Sequence, residues 1–339
     1  MFKLKRHPRN PIVTPSHLQW RSGVTFNPAV VKGPDGDYIM LERAAKLRPY
    51  QSVFGALRSP NGVDFELIAD KPVWTAGHLG TPHGDVEDPR ITQIGEMYYM
   101  TFVHYQSHWN LYPVGAVSPA LYEHLPCDCP QDIAFQARTG LARSQDLLEW
   151  EFMCWLGPEG WDDKDCVLFP EKINGEYVML TRPCRQIGSE YGCDRPSIWL
   201  TTSPDLINWS EARLHSQGEV NWWQGEKIGA SAPPVRTDAG WLLSFHGVQK
   251  NEYRTGFMLL DLKDPFKVLA RTEQPVLEPE FHYEKVGFII PNCVFPSGNV
   301  VIGRDYHLYY GACDSCICLA TAAMDDLLTF LTGECSRYS

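Results

Sequence analysis

The hydrophobic positions of this chain form short, strand-like runs that recur at long intervals. Each run begins at a glycine or another turn residue and continues into sequence rich in Tyr, Trp, Leu and Met. Aromatic and aliphatic runs bounded by turn residues are typical of β-strands. The runs begin about 60 to 80 residues apart and cover residues 36–43, 95–102, 175–182, 240–246 and 307–314. The pattern therefore predicts a structural unit that occurs five times.

A second, weaker repeat follows most of these runs. Each copy is a strand that ends in a small polar turn and then an aromatic residue, at residues 56–65, 142–150, 200–209 and 320–330. The spacing fits four strands with long loops, and small sheets arranged in a ring bury their faces against their neighbours. We therefore predict an all-β fold, a five-bladed β-propeller, with residues 1–339 forming a single domain.

One stretch between repeats, about residues 104–138, is unusually long. It contains Trp109, Tyr112, Tyr122 and two closely spaced cysteines. Long loops usually carry function, so we expect this insertion to lie over the mouth of a pocket. Residues 185–194 form a second candidate for the rim of that pocket.

The composition supports one large β domain and argues against nucleic-acid and membrane partners. Hydrophobic residues at 44% supply a core, and 27 glycines with 26 prolines supply the turns of many short strands. The net charge of −11 disfavours a nucleic-acid or anionic-membrane surface. No apolar run reaches the length of a membrane span, and the N-terminus lacks the apolar region of a signal peptide. We expect a cytoplasmic protein that contacts neither nucleic acid nor membrane.

The 11 cysteines predict reduced thiols, because an odd count without a signal peptide does not indicate a disulfide framework. Cys313, Cys316 and Cys318 resemble a metal cluster, but on a strand they do not share one face, so we expect buried structural thiols and no metal. Cys127 and Cys129 leave a local metal or redox role open.

Three segments carry candidate chemistry. Val86-Glu-Asp-Pro-Arg90 places Asp88 at a rigid turn beside a guanidinium, which suits a general acid, although an Asp-Pro turn with a surface ion pair is the alternative. Lys164 and Arg182 fall at one end of a predicted hairpin and would make it basic, unless both are solvated rim charges. His246 ends an apolar strand just before a glycine and could face a central channel. Taken alone, it is as readily a core histidine.

Nine segments then occur in order along nearly the whole chain: Asn27-Pro28, Leu41-Glu-Arg43, Val86-Glu-Asp-Pro-Arg90, Leu168-Phe-Pro-Glu-Lys172, Arg182-Pro183, Lys227-Ile-Gly229, Phe245-His-Gly-Val248, Leu259-Leu-Asp261 and Tyr309-Tyr-Gly-Ala-Cys-Asp314. Together they resemble glycoside hydrolase family 130. That family consists of five-bladed propellers, mostly inverting β-mannoside phosphorylases with some hydrolases.

The resemblance implies roles for single residues. Asp88 matches the general acid, which protonates the glycosidic oxygen by way of a sugar hydroxyl. Many phosphorylases of the family carry Arg followed by Asn at the positions where this chain has Lys164 and Asp165. The expected phosphate-binding residues are Arg182, His246, Tyr253 and Lys164, and the expected substrate-binding residues are Asn27, Arg43, Arg90, Asp165 and Asp314. Trp109 of the long insertion is a further expected substrate-binding residue, because its ring offers a flat face for stacking on a sugar.

The resemblance favours an inverting β-mannoside phosphorylase without a cofactor, with inorganic phosphate as co-substrate. Inversion needs an acid on one face of the sugar and a nucleophile on the other, and phosphate needs a cationic cradle but no base. We expect a β-1,4 linkage rather than β-1,2 or β-1,3, with the acceptor selected by residues 104–138 and 185–194. A hydrolase would instead need a carboxylate base, for which Asp165 and Glu226 are candidates. A non-catalytic sugar-binding propeller is the third alternative, and oligomerisation is left open.

Overall fold

The computed structural model describes residues 2–47, 50–106, 136–219, 222–333 and 335. Five small antiparallel sheets are arranged as the blades of a β-propeller, which confirms the predicted fold. Each blade is built from consecutive strands, except that the N-terminal strand completes the last blade. The first strands of blades 1 to 4 contact one another in turn, and the first strand of blade 5 contacts that of blade 1.

The strands follow the chain order within each blade. Blade 1 contains β2 (Val24–Lys32), β3 (Tyr38–Leu47), β4 (Tyr50–Ser59) and β5 (Glu66–Leu67); blade 2 contains β6 (Asp85–Ile94), β7 (Met97–Tyr105), β8 (Arg138–Ser144) and β9 (Glu151–Trp155); blade 3 contains β10 (Asp163–Leu168), β11 (Tyr177–Pro183), β12 (Ile198–Ser203) and β13 (Arg213–Ser216); blade 4 contains β14 (Lys227–Ala230), β15 (Val235–Thr237), β16 (Gly240–Gln249), β17 (Glu252–Leu260) and β18 (Val268–Arg271); blade 5 contains β19 (Val294–Ile302), β20 (Asp305–Ala312), β21 (Cys316–Ala323) and β1 (Lys5–Arg6).

Helices are short. They are α1 (His282–Lys285), α2 (Met324–Gly333) and the 3-10 turns Gln19–Arg21 and Ala76–Leu79. In the part of the chain that the structure describes, no helix has both the length and the apolar character needed to cross a membrane.

Both sequence repeats correspond to equivalent strands. The five strong runs form β3, β7, β11, β16 and β20, the second strand of each sheet in pairing order; in blade 4 the short β15 also pairs with β16. The weaker repeat forms the third strand, and in blades 2 and 3 it ends in the same turn, where a Ser hydroxyl and an Asp carboxylate accept backbone N–H groups. The last copy differs, because residues 324–333 lack that serine and fold as α2, which buries Leu327 and Leu331.

A bulge recurs in the first strands of blades 1 to 3. The pairing register of β2, β6 and β10 with their neighbours shifts at the same place, and the bulge carries Asn27, Asp88 and Asp165. These residues have left-handed φ values of 44°, 52° and 57°. Bulges re-aim side chains and are frequent beside active sites, where strained backbone is also concentrated. The bulge therefore presents one short polar side chain from each of three successive blades at the propeller axis.

Closure of the ring depends on β1, which pairs with β21. Arg6 on β1 binds Glu284 through Nε to Oε1 at 2.8 Å and Nη2 to Oε2 at 3.0 Å. The Glu284 side chain is fully buried and also accepts the hydroxyl of Tyr310 at 2.7 Å. The ion pair therefore fixes the N-terminal strand to the last blade.

We expect Arg6→Ala to lower the free energy of unfolding by roughly 3–5 kcal/mol, because it leaves a buried carboxylate without its partner. Urea unfolding followed by tryptophan fluorescence measures the effect. Arg9→Ala is the matched control, since Arg9 pairs with Asp64 where both side chains are more than half exposed, and it should leave the midpoint nearly unchanged. Equal effects of the two substitutions would contradict the role of Arg6 in ring closure.

Candidate active site

A cavity of about 490 Å³ receives side chains from all five blades. Nine of the residues singled out from the sequence line it: Asn27, Arg43, Asp88, Lys164, Asp165, Arg182, His246, Tyr253 and Asp314. Arg90 is buried directly behind the wall. Trp109 lies outside the described residues, as do Cys127 and Cys129. A larger cavity of about 570 Å³ lies beside Trp155, Trp161 and Trp209, but none of the candidate residues reaches it.

Asp88, the expected general acid, has one engaged and one open carboxylate oxygen. Its Oδ1 accepts hydrogen bonds from Asn27 Nδ2 and Arg43 Nη1, both at 2.8 Å. Within the described residues Oδ2 accepts none. Burial opposes ionisation of this carboxyl, but Arg43, Arg90 and Lys164 together hold the pKa of Asp88 below its usual value. Asp88 is therefore ionised near neutral pH.

Arg43 and Lys164 are joined through Glu87. Arg43 Nη2 lies 2.6 Å from Glu87 Oε1, and Lys164 Nζ lies 3.2 Å from Glu87 Oε2. Arg43 also donates to Ser52 and Tyr50, at 2.9 and 3.0 Å. Arg43 thus orients Asp88 and Glu87 and keeps one Nη1 donor without a described acceptor. Lys164 also bonds Tyr105 and keeps one donor for a ligand.

Asp165 accepts from two arginines at once. Arg90 Nη2 lies 2.8 Å from Oδ1, Arg182 Nε lies 2.5 Å from Oδ2, and His246 Nε2 lies 3.4 Å from Oδ2. Despite burial, these groups hold the pKa of Asp165 well below its usual range, with Arg182 contributing most. The glycine at 229 makes room for this cluster, since a Cβ there would lie 2.3 Å from Asp165 Oδ2. This close contact explains why the last position of the Lys227-Ile-Gly229 segment is glycine.

Arg182 is held by several contacts, and part of its guanidinium still faces the cavity. Lys164 and Arg182 are direct register partners on β10 and β11, as the hairpin predicted. The Arg182 backbone N–H donates to Asp163 Oδ1 at 3.1 Å, and Nη1 donates to Cys184 Sγ at 3.3 Å. Among the described residues Nη2 has no acceptor. One edge of the guanidinium is therefore available to an anion.

His246 and Tyr253 complete the wall on blade 4. Burial lowers the pKa of His246 despite the opposing effect of Asp165, so the imidazole is neutral near neutral pH. Burial raises the pKa of Tyr253, which keeps its phenol protonated and able to donate. The two rings lie 5.9 Å apart and both contact Phe295.

Lys227 is a cavity residue that sequence reasoning did not assign. Its Nζ lies 5.1 Å from the centre of the Tyr253 ring, and within the described ranges it has no carboxylate partner. Burial and the neighbouring charges of Arg182 and Lys164 lower the pKa of Lys227 to about 8. Lys227 stands at the start of β14, the first strand of blade 4. The equivalence of the blades could have pointed to it, because Lys164 lies at the second position of β10, the first strand of blade 3.

An apolar wall was also missed. Ile289, Ile290 and Cys293, from the segment between α1 and β19, face the cavity, and Ile289 is 39% exposed. The backbone N–H of Ile290 binds the Asp314 carboxyl. Of the first rim segment expected from the sequence, Tyr105 belongs to this wall, and residues 107–135 lie outside the described residues. No residue of the second segment, 185–194, lines the cavity. The sequence signal for this apolar wall was weak because residues 286–293 lie outside both repeats.

The two candidate bases for a hydrolase lie in unfavourable positions. Asp165 has both oxygens bound by arginine, and its low pKa makes it a weak base. Glu226 is exposed, accepts the backbone N–H of Lys250 at 2.7 Å and does not line the cavity.

The cysteines of the described chain are all free. Cys316 and Cys318 lie buried on β21, while Cys313 occupies the turn before it. In residues 2–47, 50–106, 136–219 and 222–333, with residue 335, no three His, Cys, Asp or Glu side chains are grouped so as to hold a metal ion.

Comparisons with known proteins show which family the chain belongs to. The model of glycoside hydrolase family 130, described as β-1,4-mannooligosaccharide phosphorylase, matches residues 159–333. A 1,2-β-oligomannan phosphorylase of Thermoanaerobacter sp. (strain X514) is 35% identical over 96% of this chain and 99% of its own length. A β-1,4-mannooligosaccharide phosphorylase of Ruminococcus albus is also 35% identical, over 51% of this chain and 52% of its own.

Among solved structures, the β-1,2-mannobiose phosphorylase of Listeria innocua in complex with β-1,2-mannobiose is similar along its whole length. It superposes with a TM-score of 0.77 at 26% identity, covering 98% of this chain and 99% of the other. Family, relatives and fold therefore agree, and the chain is an enzyme that belongs to glycoside hydrolase family 130, the family of the β-mannoside phosphorylases.

Proposed function

We propose that this enzyme is an inverting β-mannoside phosphorylase, which cleaves a terminal β-mannosidic bond with inorganic phosphate to give α-mannose 1-phosphate. The observation that carries the proposal is one cavity in which the open Oδ2 of Asp88 is accompanied by the cations Lys164, Arg182 and Lys227. An acid alone would serve a hydrolase equally well. The cations distinguish the two reactions, because only phosphate requires them.

The cations suit a phosphate dianion in complementary ways. Arg182 offers a planar edge for directional hydrogen bonds, while the two lysines act as point charges. Tyr253 adds a neutral donor. Phosphate held in line with C1 of the mannosyl residue needs no base, since it is already nucleophilic, and its fixed position supplies much of the rate enhancement.

Asn27, Arg43 and Asp314 are our candidates for the mannosyl subsite. They surround Asp88 and belong to blades 1 and 5, opposite the cations of blades 3 and 4. The separation fits a sugar bound between an acid on one side and a nucleophile on the other. We assign Arg90 a positioning role, because its donors bind Ser231 O, Asp88 O and Asp165. No cofactor is required.

A hydrolase is less well supported, since it needs a free carboxylate to activate water. Asp165 is bound by Arg90 and Arg182, and Glu226 lies outside the cavity wall. A sugar-binding module would need neither the acid nor the cations.

For the linkage we propose β-1,2 in place of the β-1,4 expected from the sequence. The Thermoanaerobacter relative, named for β-1,2 substrates, matches nearly the whole chain at 35% identity. A β-1,4-mannooligosaccharide phosphorylase of the same identity matches about half of it, and a 4-O-β-D-mannosyl-D-glucose phosphorylase that matches 90% of it is 26% identical. The Listeria structure, which also covers nearly the whole chain, contains β-1,2-mannobiose.

The test is a set of initial rates on β-1,2-mannobiose, β-1,4-mannobiose and 4-O-β-mannosylglucose, each with and without inorganic phosphate. We expect phosphate-dependent cleavage that is fastest on the β-1,2 disaccharide. A faster rate on a β-1,4 substrate would reject the linkage alone. Phosphate-independent release of mannose would reject the phosphorylase.

A further inference from the structure

The cavity contains many cations, but it is not a positively charged site. The four basic residues that line it are Arg43, Lys164, Arg182 and Lys227, and the five acidic residues are Asp85, Glu87, Asp88, Asp165 and Asp314. His246 is neutral. Among the described residues, positive charges therefore do not exceed carboxylates, although the proposed ligand is a dianion.

Most of these cations are neutralised by ion pairs with carboxylates. Arg43 pairs with Glu87 and Asp88, Lys164 with Glu87, and Arg182 with Asp165. Only Lys227, within the described wall, has no carboxylate partner. A phosphate dianion entering this buried site would leave uncompensated negative charge, which is costly in a low-dielectric environment.

The compensation has to come from protons, and geometry limits which groups can accept them. Both oxygens of Glu87 are bound by cations, and so are both oxygens of Asp165. Asp85 accepts the Ser52 backbone N–H at 2.7 Å. Asp88 keeps Oδ2 open to the cavity, and Asp314 has only the Ile290 N–H as a described donor.

We infer that inorganic phosphate binds this cavity together with protons, which are taken up by Asp88 and Asp314. Burial and the nearby Asp88 and Glu87, opposed by Arg43, already raise the pKa of Asp314 to about 7. Asp88 is ionised before phosphate arrives and gains its proton when the dianion adds a further negative charge, because a like charge raises a carboxyl pKa. The inference rests on the proposed function and deepens it.

The consequence for catalysis is that binding of phosphate, the nucleophile, protonates Asp88, the general acid. Asp88 passes the acquired proton to a sugar hydroxyl, and that hydroxyl gives its own hydrogen to the glycosidic oxygen. The bond from C1 to that oxygen breaks at the same time, and an electron pair of a phosphate oxygen forms the new bond to C1. The hydrogen of HPO₄²⁻ remains on the ester and leaves to solvent with the product, so each cycle takes up one proton and returns one. Without phosphate the acid stays ionised, and transfer of the mannosyl group to water is suppressed.

Calorimetry with sulfate tests this inference without turnover. Sulfate is a dianion that does not titrate near neutrality, so any protons taken up must be bound by the protein. Titrations in two buffers of different ionisation enthalpy at neutral pH, where Lys227 is already largely charged, give the number of protons bound per anion. We expect an uptake of about one proton for the unmodified enzyme. Asp88→Asn should lose most of the uptake, and Asp314→Asn a smaller part.

Each result is decisive. Binding of sulfate and phosphate without proton uptake would overturn the inference while leaving the phosphorylase intact. Uptake that persists in both variants would place the proton elsewhere, for example on His246, and would also overturn it. Failure of both anions to bind the unmodified enzyme would instead reject the cationic cradle and with it the proposed function. If one variant fails to fold by thermal melting, the other still separates these results.

Discussion

Asp88→Asn is expected to reduce turnover by about 10²- to 10⁴-fold, the contribution typical of a general acid, while the protein stays folded. The amide oxygen can still accept from Asn27 Nδ2 and Arg43 Nη1, which both bind Oδ1. What is lost is the proton on the open side of the carboxyl. Steady-state kinetics on β-1,2-mannobiose with saturating phosphate measure the loss.

Two comparisons distinguish loss of the acid from general damage. A nitrophenyl β-mannoside has a leaving group that needs little protonation, so the variant should lose much less activity on it. Asp238→Asn is the matched control, because Asp238 is exposed and does not line the cavity. An Asp88→Asn enzyme with near-normal turnover of the disaccharide would remove Asp88 from the mechanism.

Arg182→Ala is expected to lower kcat/KM for phosphate by about 10²-fold. A hydrogen bond to a charged group contributes roughly 1.5–3 kcal/mol, and each 1.4 kcal/mol corresponds to about a factor of ten. Raising the phosphate concentration should restore little of the rate, because Arg182 also orients the nucleophile. The measurement is a series of initial rates against phosphate at fixed disaccharide concentration.

The matched control for this prediction is Arg185→Ala. Arg185 lies three residues away, pairs with Asp162 and has a side chain that is 61% exposed. We expect it to leave the phosphate dependence unchanged. If both substitutions had the same small effect, Arg182 would be a structural charge and the anion would be bound elsewhere.

The sequence predicts the blades well because each blade repeats the same pattern. The second strand is buried and carries the aromatic run, and the third ends in a turn held by local side-chain hydrogen bonds. Both are short-range signals. Closure by β1 is different, since Arg6 meets Glu284 across 278 residues, and no local pattern records that contact.

The site shows the same division. The residue types that reach the cavity could be predicted from the family resemblance, and Lys164 and Arg182 also from their predicted hairpin. Their pairing could not be predicted. Spacing suggested a basic end at Lys164 and Arg182, but it could not show that Glu87 and Asp165 neutralise these cations from other positions at the axis. Lys227 was missed for the converse reason, because a single lysine at a strand start looks like a solvated charge until neighbouring blades enclose it.

The most direct test of the account is phosphorus NMR of the enzyme acting on β-1,2-mannobiose with inorganic phosphate. We predict one α-mannose 1-phosphate for each disaccharide cleaved, and no cleavage when phosphate is omitted. Formation of the β-anomer would contradict inversion, and free mannose produced at the same rate without phosphate would contradict phosphorolysis at this cavity.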